Sequence, residues 1–510
     1  MTEVTVAPPQ QPDREMAKEL PPLWTPVVLG IACAFAALEL AVSARYGIHR
    51  DELYFLACAR HLAWGFVDQP PLVPAVAWLA MHVASGSVVA LRTLPAIAGG
   101  AAVVLAGLMA RELGGGRKAQ ALAAVAAATS PQLLAAFHLL STAAFDTFFW
   151  SAMCYLTLRL LRTGEARWWL AIGLVAGVAL ENKLNIGFLV LGLVIGFLLG
   201  GRGRVLLSPW LWAGAGIALV IWLPNIIWNA QHDWAAISML RSLHQENSGL
   251  GPSLAFIPSQ VVVAGPLLVV FWVTGLRRLL ASSFARPLGV AFLSLLVLFT
   301  LIGGKSYYLA GLYYVLFAAG GVWVESRLAS RRPARGMRGW LAFMLVGGLS
   351  ALPLSLPVLP ESALARGAWE GKINKDLSAT VGWQDFVRQI AGIAGRLPAG
   401  QRAHVVLFTG DYGAAGAIDL YGGRYGLPHA ISGHNNYWWW GHSPAADGAT
   451  TIAVNLPRSY LVTIFRHVVL AGAVRTPHDV WTEERGDPIW ICTGQKVGWA
   501  AAWPAARHYG

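Results

Sequence analysis

Charge is scarce in this chain. Asp, Glu, Lys and Arg make up 13% of its 510 residues, whereas a soluble globular protein carries roughly a quarter. That deficit excludes an ordinary soluble enzyme. Cysteine is sparse too: Cys33, Cys58, Cys154 and Cys492 show no metal-ligand spacing. Cys33 and Cys154 fall inside apolar runs, which leaves Cys58 and Cys492 as the pair a disulfide outside a membrane would use. There is no internal repeat and no long low-complexity segment. Acidic residues number only 26 against 38 Lys and Arg, for a net charge of +12. That balance would suit nucleic acid if the basic residues formed one surface. They stand instead in short clusters between apolar runs, the pattern of cytoplasmic loops, so nucleic acid is not expected as a partner.

What the chain does have is hydrophobic sequence, at 56% of residues, and 23 tryptophans, a residue that settles at the lipid–water boundary. Apolar runs recur at 24–43, 88–110, 119–137, 141–158, 168–180, 186–200, 209–227, 257–276, 287–302, 307–324 and 340–359. A helix needs roughly 20 such residues to cross the hydrocarbon core, so the pattern predicts about eleven transmembrane helices. Residues 1–23 are polar and proline-bearing and read as a disordered cytoplasmic tail. The stretch from Trp168 to Gly200 is interrupted by Glu181-Asn182-Lys183-Leu184-Asn185. Read as two short helices, it leaves the later arginine clusters (Arg202 and Arg204; Arg277, Arg278 and Arg286; Arg327 to Arg338) in the cytoplasm. Read as one span, it would send them all outside, against the positive-inside rule. The expected organisation is a multi-pass bundle over 24–360 in the cell (inner) membrane, with a first outer loop at 44–87. Residues 361–510 then form an extracytoplasmic α/β domain. Its strands are expected near His404–Thr409, Thr451–Val454 and Ile489–Cys492, with a helix over Trp383–Leu397 and a turn at Asp411-Tyr412-Gly413.

This topology sorts the acids. Asp51, Glu52, Asp68, Asp146, Glu181 and Asp233 all fall near the outer face, where ionisable groups beside hydrocarbon are costly and tend to mark function. Asp68 and Asp233 read rather as helix-end anchors in the headgroup layer. Lys183 and Lys305 break the charge rule on that same face, and each is placed to hold a lipid phosphate as a point charge. Acids to activate a hydroxyl and cations to hold a phosphate suit group transfer from a lipid-phosphate donor. A proton-coupled lipid or solute transporter would use the same groups, but nearer the bilayer midplane. A non-catalytic assembly protein would keep Asp51 and Asp146 far apart.

The segments His49–Tyr54 (HRDELY) and Asp68–Leu72 (DQPPL) resemble the first outer loop of glycosyltransferase family thirty-nine. That family holds the protein O-mannosyltransferases and lipid A aminoarabinose transferases and has the GT-C fold. Ser141–Asp146, Glu181–Leu184, Leu223–Asn229 (LPNIIWN), Lys305–Leu309 (KSYYL), Gly410–Gly416 (GDYGAAG) and Ser432–Tyr437 (SGHNNY) extend the resemblance in order along nearly the whole chain. It implies a polyprenyl-phosphate sugar donor and inverting transfer to a hydroxyl-bearing envelope acceptor: lipid A, another glycan, a lipid or a protein. Asp51 would be the catalytic base, with Glu52 orienting or assisting and Asp146 as the second outer-loop acid. Lys183 and Lys305 would lie at the donor phosphate, and His49, Tyr54, Tyr307 and Tyr308 are candidate substrate contacts. Many relatives carry a basic residue before the Pro-Pro pair. Here it is Gln69, so a phosphate contact from this loop is not implied. In the tail, His434, Asn435, Trp438 and Trp439 suit sugar stacking and hydrogen bonding, and the domain is expected to help select the acceptor. No cofactor is identified, and use of a divalent metal is left open.

Overall fold

The computed structural model describes residues 19–247, 250–329, 333–366, 374–443 and 446–509. The expected tail therefore lies outside the described residues as far as position 18, as do Arg331 and Arg332. The bundle is built from α1 (Thr25–Val42), α2 (Arg50–Arg60), α3 (Leu72–Val83), α4 (Val88–Glu112), α5 (Arg117–Ala128), α6 (Pro131–His138), α7 (Thr142–Thr163) and α8 (Trp168–Leu180). It continues through α9 (Ile186–Leu199), α10 (Pro209–Gln231), α11 (Ala235–Asn247), α12 (Leu250–Ala264), α13 (Val269–Ala281), α14 (Arg286–Ile302), α15 (Tyr313–Ala329) and α16 (Pro333–Ser355). Helix is the form that satisfies backbone N–H and C=O groups within one apolar segment. Proline opens α1, α6, α10 and α14, where its missing N–H costs no helical bond.

Helices stand at every place where the sequence predicts a span. Among the described residues, however, five are long and apolar enough to cross a membrane, or up to seven if each of two bent pairs is one span. By that criterion the number of crossings falls short of the expected figure of about eleven. The bent pairs are α5–α6 at 60° and α12–α13 at 89°, while α3, α8, α9 and α14 are apolar but shorter. α8 and α9 are separate helices that part at the Glu181–Asn185 break, α8 packing on α10 and α9 on α14. The α8–α10 approach depends on glycine, because a Cβ on Gly173 would lie 2.1 Å from the Gly214 carbonyl oxygen. The span containing α15 is 83% buried and forms the centre of the bundle. The windows in α10 and α16 are 17% and 11% buried and show Trp212, Val220, Val346 and Leu349 outward. Apolar faces of that extent suit a lipid surround.

Beyond the bundle the chain forms a five-stranded sheet in the order β2-β1-β3-β5-β4. The strands are β1 (Val406–Thr409), β2 (Ala430–Ser432), β3 (Thr451–Val454), β4 (Phe465–Ala473) and β5 (Pro488–Gln495). β1 is parallel to β2 and β3, and β5 is antiparallel to β3 and β4. β1 and β3 are buried at every position, as expected of strands covered on both faces. Helices α17 (Trp383–Gly395) and α18 (Tyr412–Tyr421) accompany the sheet. The three expected strands are β1, β3 and β5. β2 is short, and β4 is an edge strand with Val469 and Leu470 exposed. The Asp411–Gly413 turn is the start of α18, with Asp411 as its N-cap. All four cysteines are free, so Cys58 and Cys492 do not form the disulfide considered from sequence: one lies in α2 and the other in β5.

Candidate active site

The site is organised by α2. His49 caps this helix: its Nδ1 accepts the Asp51 N–H at 3.1 Å, while its own N–H donates to Glu52 Oε2 at 2.8 Å. This reciprocal cap sends the two neighbouring acids into different surroundings. Glu52 is 0% exposed and accepts from Arg92 Nε at 2.9 Å, from Arg92 Nη2 at 2.7 Å and from the Leu140 N–H at 2.9 Å. Arg92 also donates to the Gly47 carbonyl and, through Nη1, to that of Ser43. Asp51 keeps 38% of its side chain exposed. Asp51 is thus open to solvent where Glu52 is not, and Glu52 joins α2 to α4 and to the segment that leads into α7.

Asp51 Oδ1 accepts a 2.8 Å bond from the Tyr412 hydroxyl and lies 3.7 Å from Arg50 Nε. Loss of water opposes ionisation of Asp51. His49, Arg50, the Tyr412 hydroxyl and Lys305 outweigh it and hold the carboxyl below the usual aspartate range. Tyr412 begins α18, which lies across α2. Two glycines allow the crossing: a Cβ on Gly413 would meet Arg50 Cγ at 2.3 Å, and one on Gly416 would meet Leu53 backbone atoms at 2.9 Å. The i, i+3 glycines of GDYGAAG thus form the flat face that brings Tyr412 to Asp51. Gly416→Val is expected to lower the melting temperature and to move the acid limb of any Asp51-dependent activity to higher pH, as the Tyr412 bond is lost. An unchanged profile would show that the contact does not depend on this glycine.

Asp68 also belongs here. Its Oδ1 accepts from the Tyr54 hydroxyl at 2.9 Å, and that hydroxyl lies 3.2 Å from Asn436 Oδ1, which accepts the Val67 N–H at 2.7 Å. Loss of water pushes the Asp68 carboxyl up to about 7; nearby Asp51 adds to the rise, and the Tyr54 bond opposes it. The headgroup-anchor reading of Asp68 is thereby corrected, because its side chain turns inward toward Tyr54. Asp233, exposed at φ 54°, joins no such network among the described residues.

The remaining sequence candidates gather around the same opening. Asp146, in the first turns of α7, accepts from Asn185 Nδ2 at 2.7 Å and is within Coulombic reach of Lys183. Lys183 Nζ sits 5.4 Å above the Tyr307 ring and 5.5 Å from that of Tyr308. Lys305 precedes Tyr307 by two positions, so both lysines lie beside this tyrosine pair. The Gln69 amide and the Glu181 carboxylate are buried without a hydrogen-bond partner among the described residues. The loops that carry them are tied by the Leu72 N–H donating to the Glu181 carbonyl at 2.9 Å. No group of three or more His, Cys, Asp or Glu among the described residues is placed to hold a metal ion.

The tail candidates divide. His434 accepts the Tyr412 N–H at 3.3 Å, with its ring 4.6 Å from that of Tyr412. Asn435 is buried, with both side-chain polar atoms unpartnered among the described residues. Trp438 is held within its own domain, exchanging indole N–H to carbonyl bonds with Trp503 at 2.9 and 3.0 Å. Trp439 packs by Val67 and lies 5.2 Å from the His232 ring. Sequence reasoning did not single out Tyr412 or Arg92. The glycine spacing after Tyr412 and an arginine within the apolar first half of α4 were the available signals.

An apolar bundle, an acid-bearing helix beside it and an appended α/β domain packed on that helix make up this fold. Residues 68–228 match the family described as dolichyl-phosphate-mannose-protein mannosyltransferase. The structure is similar to ArnT from Cupriavidus metallidurans in the apo state, with TM-score 0.59 and 16% identity over 92% of this chain and 97% of that one. It is similar to the same protein bound to undecaprenyl phosphate, with TM-score 0.58, 15% identity and coverage of 92% and 98%. Arabinofuranosyltransferase AftD from Mycobacteria matches at TM-score 0.50 and 16% identity, over 92% of this chain and 40% of AftD. At these identities the likeness concerns the fold. A search of curated proteins gave no match.

Proposed function

We propose that this protein is a membrane glycosyltransferase that moves a sugar from a polyprenyl-phosphate donor to a hydroxyl of an envelope acceptor, with inversion at the anomeric carbon. The observation that supports the reading is a partly exposed Asp51 held by the Tyr412 hydroxyl, on the same face as Lys183 and Lys305 beside the Tyr307–Tyr308 pair. Asp51 takes the acceptor proton as the oxygen attacks. The departing lipid phosphate needs positive charge more than a strong acid, and the two lysines supply it. The undecaprenyl phosphate bound by the ArnT neighbour and the family matched at 68–228 support a polyprenyl donor. In this reading the Asp51 end of the bundle and the sheet domain face outward, with the N-terminus cytoplasmic. The Tyr412 hydroxyl reaches Asp51 from the sheet domain, so in this reading the domain borders the base as well as offering an acceptor surface at His434 and Asn435.

Neutralising either Lys183 or Lys305 to Met is expected to weaken donor use by about 1–3 kcal/mol, the range for a lost charge-assisted contact. Purified variants assayed with polyprenyl-phosphate sugars would show it as raised donor KM or lowered kcat. If both constants are unchanged, the lysines are headgroup anchors. A pH effect follows from Asp68. As pH rises through about 7 its carboxyl ionises and adds negative charge near Asp51, so the pH profile of kcat should show an inflection there. The Asp68→Asn variant should lack that inflection, and a profile identical to wild type would assign it to another group.

A further inference from the structure

A cavity of about 620 Å³ opens between the bundle and the sheet domain, away from Asp51. Leu56 and Arg60 line it, five and nine positions after Asp51, about 140° and 180° around α2. Three arginines meet there from separate elements: Arg45 after α1, Arg60 at the end of α2 and Arg424 beyond α18. Among the described residues none of them forms an ion pair with a carboxylate. Arg60 donates to the Asp419 backbone carbonyl at 3.1 Å, and Arg424 lies 5.9 Å from the Tyr421 ring centre. The Asp419 carboxylate is engaged by the Ala430 N–H, the Tyr437 hydroxyl and His429. Glu52, deeper in the fold, is matched by Arg92.

The rest of the lining is largely apolar, with Ile48, Leu56, Met81, Leu91 and Leu420. Apolar surface continues from its mouth along α3 and α4, where Leu79, Val83 and Val89 are 45%, 74% and 42% exposed. Three solvent-exposed arginines around an apolar floor suit an anion, and guanidinium is the side chain best matched to phosphate oxygens. A free phosphate would leave the apolar lining wet. An anion that carries hydrocarbon satisfies both halves of the cavity.

We infer that this cavity binds the phosphate headgroup of a membrane phospholipid, at a site separate from the donor site, with the acyl chains lying along α3 and α4. The bound lipid braces α2 from behind and links it to the sheet domain through Arg424. The inference stands on the cavity alone and does not depend on the transferase reading.

The test is lipid retention by the purified full-length protein in detergent, followed by native mass spectrometry with added phosphatidylglycerol, diacylglycerol or sn-glycerol 3-phosphate. Wild type should retain phosphatidylglycerol and not diacylglycerol, and millimolar glycerol phosphate should not displace the lipid. Arg45→Gln and Arg424→Gln should each weaken retention about tenfold, the equivalent of one charge-assisted contact. Arg45→Lys, which keeps the charge, should recover part of the loss, and melting temperatures confirm that each variant is folded. Lys305→Met should leave phosphatidylglycerol retention unchanged whatever it does to undecaprenyl phosphate, which keeps this site distinct from the proposed donor site. Equal retention by folded glutamine variants would overturn the inference. So would displacement by glycerol phosphate, which would make the cavity a site for free phosphate compounds.

Discussion

Replacing Asp51 with asparagine is expected to lower sugar transfer by about 10² or more while the protein stays folded. Asparagine keeps the shape of the side chain and an oxygen to accept the Tyr412 hydroxyl. Arg50 retains its pairing with Glu483, so no buried charge is stranded. What disappears is basicity at the one position of α2 that combines exposure with a carboxyl held ionised. Donor retention should persist, because Lys183 and Lys305 are untouched. The measurement is transfer from a polyprenyl-phosphate sugar by the purified variant, alongside retention of undecaprenyl phosphate. Full transfer by the asparagine variant would remove Asp51 from the role of base.

Glu52→Gln is expected to act on stability, with a loss of about 3–5 kcal/mol, the usual cost of breaking one side of a buried ion pair. Arg92 is 1% exposed, and without the carboxylate its hydrogen-bond partners among the described residues are two backbone carbonyls and the His138 imidazole. Burial resists ionisation of Glu52, but Arg92 outweighs burial and holds the carboxyl below the usual glutamate range. The pair's contribution is therefore present above that range and is lost only as pH falls through the depressed folded-state value. Denaturation of the purified variant in detergent would measure the loss. The double variant Glu52→Gln, Arg92→Met should be less damaged than Glu52→Gln alone, since it leaves no unpaired charge. If the single variant matches wild type, the buried pair does not hold α2 in place.

How far these features were legible depends on the physics behind each. Apolar runs of span length announce helices directly, and helices stand where the runs predicted. The Glu181–Asn185 break was decided by distant arginines, because loop charge constrains every later segment at once. β1, β3 and β5 carry β-rich apolar runs, whereas β4 has an exposed face and β2 is only three residues long. In the site, Asp51 and the lysines could be read because each is an ionisable group beside hydrocarbon. Asp68 was undervalued because its meaning rests on Tyr54, a contact across 14 positions of sequence. Arg92, its neighbour His138 and the Glu39 carboxylate beside that histidine escaped because pairing between helices leaves no local periodicity.

The bond between Asp51 and Tyr412 joins positions 361 apart in the chain, and this imposes an order on biosynthesis. When α2 leaves the ribosome, the residue that will bond its exposed acid has yet to be made. The bundle can be inserted and α2 tied to α4 through Glu52 and Arg92 long before the sheet domain is synthesised. The surroundings of Asp51 are completed only when α18 has been translated and folded onto α2. A newly inserted bundle therefore passes through a stage in which its lysines are present and the acid lacks its tyrosine. Ribosome-stalled chains ending before and after α18 would separate the two stages.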